Sequence, residues 1–82
     1  MSENRIAVVS IIVEDRSKSA EVNAALSLFG DLVVGRMGIP YKEKNVNVIC
    51  VVVDAPVEQI NSLTGKLGMI SGVKAKTITS KY

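Results

Sequence analysis

Residues 6–13 read IAVVSIIV, an unbroken apolar run rich in β-branched side chains. It is too short for a confident helix and suits a strand buried on both faces. Side chains alternate along a strand, so Ala7, Val9, Ile11 and Val13 take one side and Ile6, Val8, Ser10 and Ile12 the other. A second run, VNVICVVV at 46–53, repeats the pattern. It sets Val46, Val48, Cys50 and Val52 against Asn47, Ile49, Val51 and Val53. Only Ser10 and Asn47 relieve the apolar character of the two runs.

Working outward from the first run, Glu14-Asp15-Arg16-Ser17 breaks it. Ala20, Val22, Ala25, Leu26 and Phe29 then recur at helical spacing up to Gly30, with Ser17 or Ser19 available to cap. Leu32 to Tyr41 reads as a strand, interrupted by Gly35 and Gly38 and stopped near Pro40. Beyond the second apolar run, Asp54-Ala55-Pro56 signals a helix start. Ile60, Leu63 and Leu67 give that helix one apolar face, and Gly68 ends it. Val73 to Thr79 (VKAKTIT) alternates, as a half-exposed last strand would.

The order is β-α-β-β-α-β, and each half echoes the other. That is an α+β, ferredoxin-like sandwich spanning residues 1–82 as one domain. Its antiparallel sheet has the order 4-1-3-2, with two helices on one face. The central strands of that order are the first and third, the two most apolar here. Two helices cover only one face, so the other apolar face needs a cover. A second copy of the chain is the economical one, giving a homo-oligomer, dimer or tetramer. The alternative is that edge side chains and the C-terminal tail fold over it.

Composition narrows the function. The chain has 82 residues, 48% hydrophobic and 4% aromatic, with one Cys and no His. Disorder, a disulfide scaffold and His-built metal or catalytic sites are excluded. No cofactor is expected. The ten basic and eight acidic residues are scattered, so no basic stripe marks a nucleic-acid partner. The first and third strands carry none of the aromatics that RNA binding on such a sheet would use. No apolar run approaches the ~20 residues of a membrane span. Cys50 has no partner in the chain, which reads as a cytoplasmic protein.

Few residues suggest chemistry. Arg36 interrupts the second strand between Gly35 and Gly38, and its guanidinium fork suits carboxylate or phosphate. The same Arg could be an edge-strand charge that discourages stray pairing. Glu14, Asp15 and Arg16 follow a central strand and either line an effector pocket or serve the helix dipole and solvent. Gly65, Lys66 and Gly68 lack phosphate-loop spacing: Gly68 reads as a cap and Gly65 as an aid to tight packing. Cys50 reads as a small core residue. No nucleophile–base pair is present, so no enzyme is expected.

Three segments, VEDR at 13–16, RMGIPY at 36–41 and GKLGMISGVKAKT at 65–77, carry a resemblance. With the strand order, they resemble ACT-type regulatory domains, and more narrowly the small regulators associated with iron-only hydrogenase systems. The fold is similar to the ligand-binding domain of nickel-responsive repressors, but their His and Cys ligands have no counterparts here. The resemblance implies a prokaryotic, cytoplasmic, oligomeric sensor without catalysis, acting through oligomer rearrangement and read by a regulatory protein partner. It places a small-effector site near Glu14 to Ser19, at a subunit interface. Many ACT domains have a Gly in that loop where this chain has Lys18, which leaves an anionic effector held by Lys18 or Arg16 at the helix N-terminus. The candidate ligand residues are Glu14, Asp15, Arg16, Lys18, Arg36 and Tyr41. The alternative function is a structural assembly subunit that binds a partner protein and no small molecule.

Overall fold

Alternating apolar side chains on both central strands dictate a sheet whose inner face is sealed by helices. The structure is a computed structural model that describes residues 3–80. Four strands are present: β1 (Asn4–Val13), β2 (Val33–Tyr41), β3 (Val46–Pro56) and β4 (Val73–Thr79). Helix α1 (Ser19–Leu28) joins β1 to β2, and α2 (Val57–Gly68) joins β3 to β4. The sheet is antiparallel throughout, in the order β2-β3-β1-β4. Read from the other edge, this is the expected 4-1-3-2.

The inner face packs as the alternation demands. Ala7, Val9, Ile11 and Val13 of β1 and Ile49, Val51, Val53 and Ala55 of β3 are buried. They meet Val22, Ala25 and Leu26 of α1 and Ile60, Leu63 and Leu67 of α2 in one apolar cluster. Thr64 ties α2 to the sheet, sharing a 2.6 Å hydrogen bond with Thr77 of β4. The outer face stays open: Ile6, Ile12, Met37, Ile39, Tyr41, Val48 and Ile78 are all exposed. Edge side chains therefore do not cover it. Lys81 and Tyr82, the end of the tail that could have folded over it, lie outside the described residues.

Some local expectations need correction. Asp54-Ala55-Pro56 does not start a helix. All three continue β3, because β1 begins two residues earlier than its apolar run and offers Asn4, Arg5 and Ile6 as partners. The helix starts at Val57, and Pro56 before it makes no side-chain cap. Strand β2 is not broken by its glycines and runs through Pro40, whose missing N–H is tolerated on an edge strand. Its irregularity lies at Val33–Gly35, a bulge: Val33 pairs with Val53, yet Gly35 pairs with Val52. Cys50 is not in the core; it lies half-buried on the outer face. Neither serine caps α1 through its side chain, and Lys18 occupies the cap position.

Glycine roles shift as well. A Cβ at Gly65 would meet nothing within 4 Å, so tight packing does not explain it. Residue Met69, after Gly68, keeps right-handed backbone angles. The left-handed turn sits at Gly72 (φ 76°). Its carbonyl accepts hydrogen bonds from Glu14 N (2.7 Å) and Asp15 N (3.1 Å), clamping the turn before β4 onto the end of β1. A Cβ there would lie 2.6 Å from Asp15 Cβ. Gly72→Ala therefore combines the strain of a left-handed φ with a clash and should cost about 1–3 kcal/mol in urea denaturation. Gly65→Ala, in open space within a helix, should instead be neutral or stabilising by up to about 1 kcal/mol.

Candidate functional site

Polar side chains converge at one place, where β2 overhangs the helical layer. Every residue of β2 after Val33 is exposed. Along its inner side come Arg36, Gly38 and Pro40, opposite Val51, Ile49 and Asn47 of β3. Gly38 brings no side chain, so a gap opens between Arg36 and Pro40 above Ile49. The first two turns of α1 wall the gap with Ser19 and Asn23, four residues apart and hence on one helical face. The result is a cleft of about 250 Å³ lined by these residues with Asn47 and Ile39.

Its electrostatics have one sign. Arg36 is the only ionised side chain in the lining, which holds no carboxylate. One guanidinium nitrogen donates to Asn23 Oδ1 at 3.0 Å. A guanidinium has five N–H donors, so most of its capacity remains for a ligand. Asn47 Nδ2 donates to Ser19 Oγ at 2.8 Å. Asn47 Oδ1 is enclosed and makes no hydrogen bond. An unpaired buried acceptor costs about 1–3 kcal/mol, which makes the cleft floor a place where polarity is kept against stability.

The six residues singled out from sequence do not gather. Arg36 alone lines the cleft. Tyr41 stands on the outer side of β2, with its hydroxyl 3.4 Å from Glu43. In the loop after β1, Asp15 accepts from Ser17 N (3.0 Å) and Ser17 Oγ (2.6 Å). Lys18 pairs with Glu21 at 3.4 Å, and Arg16 donates to Asn45 Oδ1 at 3.3 Å. Glu14 is exposed and gives its N–H to Gly72. The loop thus spends its charges on itself and its neighbours. Sequence reasoning missed Ser19, Asn23 and Asn47 as site residues. Asn47 carried a signal, being a polar residue inside an apolar strand.

Among the described residues no group of three or more His, Cys, Asp or Glu could hold a metal. No described helix is long and apolar enough to cross a membrane.

Residues 5–77 match the TM1266-like family, described as "Iron-only hydrogenase system regulator, putative". The chain belongs to this family. Its fold is also that of a solved relative, the uncharacterized protein TM1266 from Thermotoga maritima. That protein is 40% identical, with a TM-score of 0.90, and the match covers 96% of this chain and 100% of the other. No curated protein matches the sequence. The cleft residues Ser19, Asn23, Arg36 and Asn47 all lie inside the matched segment.

Asp15 gives a prediction. The Ser17 hydroxyl and then the Ser17 N–H favour its ionised form and hold its carboxyl below the ordinary value of 3.8. A depressed folded-state pKa contributes stability above the unfolded value, and that contribution is lost as pH falls through the folded one. Ser17→Ala should move the Asp15 titration, followed by NMR, upward toward the ordinary carboxylate range.

Proposed function

We propose that the chain is a non-catalytic regulatory domain, ferredoxin-like and similar to ACT domains, that senses a small anion in the Arg36 cleft. The observation that carries this reading is a lone guanidinium in a concave, carboxylate-free site with polar neighbours. Binding sites of this kind combine apolar walls with a few convergent polar groups. At about 250 Å³ the cleft suits a small carboxylate or phosphate compound rather than a nucleotide. The apolar wall comes from Pro40 and Ile49.

The output of such a domain is a shift between quaternary arrangements. A ligand moves that equilibrium only by its difference in affinity for the two states. A regulatory protein partner then reads the favoured arrangement, in the cytoplasm, where the unpaired Cys50 stays reduced. Membership of a family described as hydrogenase-system regulators supports the regulatory role. The absence of a nucleophile–base pair in the sequence supports a role without catalysis.

A second reading, an assembly subunit without a small ligand, is favoured by the open apolar face of the sheet. Thermal-shift titration with a panel of small carboxylates and phosphates separates the two. Under the sensing reading at least one raises the melting temperature, since binding at a hundred times Kd stabilises by about 2.7 kcal/mol. Arg36→Ala should weaken that compound roughly ten- to hundredfold, the loss of one charge-assisted hydrogen bond. No shift with any compound, together with a shift on adding a protein partner, would support the assembly reading.

A further inference from the structure

We infer that the outer face of the sheet is a two-fold interface with a second copy of this chain, packed face to face with the strands of both copies aligned. The inference rests on the self-association half of the proposed function and is independent of any ligand.

The register lays the face out in rows. Gly35, Val52, Val8 and Ile78 make one row across the four strands. Met37, Cys50, Ser10 and Lys76 make the next, and Ile39, Val48, Ile12 and Lys74 the third. The middle of the face is uncharged, and its centre is flattened by the small side chains of Cys50 and Ser10. Charge is confined to its margins: Lys74 and Lys76 on the β4 edge, and Asp54 near one end beside Ile6. Met37 is 59% exposed and Ile78 75%, well beyond a scatter of single apolar residues.

The size fits. Strands lie about 4.8 Å apart and rise about 3.4 Å per residue, so four strands of roughly seven residues offer about 450 Å² of footprint. A pair of copies therefore buries about 900 Å² before the relief of side chains is counted, which brings it to the ~1,000 Å² of a specific interface. Antiparallel sheets stacked this way sit about 10 Å apart with side chains interdigitated.

The charges choose the orientation. A two-fold axis across the strands would set β4 on β4, Lys74 and Lys76 against their own copies. An axis along the strands sets β4 over the partner's β2 instead. Each lysine stem then lies across Met37 and Ile39, with its ammonium free to reach water past the edge strand. Like charges across an interface are penalised, so the second arrangement is favoured.

Light scattering after size exclusion, without ligand, tests the interface. The wild type should run at an even multiple of 8.8 kDa. Met37→Glu and Ile39→Lys, both on the exposed edge strand, should each weaken association at least tenfold while circular dichroism stays native. Leu28→Glu on the helical side should leave the assembly intact. Arg36→Ala should also leave it intact, because that side chain lies on the inner side of β2; this keeps a failed ligand reading separate from a failed interface. Reaction of Cys50 with a thiol reagent should slow as protein concentration rises. In a Cys50→Ser background, a short bismaleimide should join Lys76→Cys to Met37→Cys in mixed samples and should not join Lys76→Cys to itself. A monomer at micromolar concentration would overturn the proposal. So would an assembly dissolved by Leu28→Glu and indifferent to both face substitutions, or a monomer that binds anionic phospholipid vesicles through this face.

Discussion

Two helices can seal only one side of a four-stranded sheet, and the rest of this molecule follows from that limit. The inner side takes Val9, Ile11, Val13, Val51 and Val53 fully out of water, beneath Ile60, Leu63 and Leu67. The outer side carries the same kind of side chain with none of the described residues packed over it. The helical layer also falls short of β2, so the edge strand overhangs. That overhang, with a glycine at position 38, is what leaves room for the cleft. A further helix on the inner side, beneath β2, would have filled the cavity beside Arg36, and one on the outer side would have closed the open face.

The architecture was legible because β1 and β3 carry their burial in their composition. A strand apolar on both faces, relieved only by Ser10 in one run and Asn47 in the other, belongs inside a sheet, and two such strands in one small chain fall at its centre. The strand order and the open outer face follow from that. Asp54-Ala55-Pro56 was misread because its fate is decided by a partner strand. Local preference offers a helix start, while Asn4 and Arg5 offer backbone hydrogen bonds that extend the ladder. The residue before a proline also favours extended angles. Likewise, two glycines near a helix end look alike in sequence, and only the fold shows that Gly72 is the one pressed against Asp15.

Of the candidate cleft, one residue was legible in the sequence. Arg36 stands out as a charge within a strand. Its neighbours do not, because their meeting depends on which residue of β3 faces which residue of β2 and on where α1 begins. The charged loop after β1 is bonded largely to itself and to its near neighbours. Asp15 and Ser17 meet two residues apart, and Lys18 and Glu21 three apart. Such short-range bonds are a common fate of Asp and Ser beside a helix start.

The bulge at Val33–Gly35 sets the phase of the edge strand. One extra residue is spent there against a single step of β3. Every side chain downstream is thereby turned over relative to an unbroken ladder. Without it, Arg36 would fall opposite Cys50 and stand among the aliphatic side chains of the outer face, and Met37 would hang over α1. A single residue thus sorts β2 into two alternating sets: Arg36, Gly38 and Pro40 toward the cleft, and Met37, Ile39 and Tyr41 on the outer face. The strand holds two jobs at once, and its sequence from 35 to 41 has meaning only in frame with that irregularity.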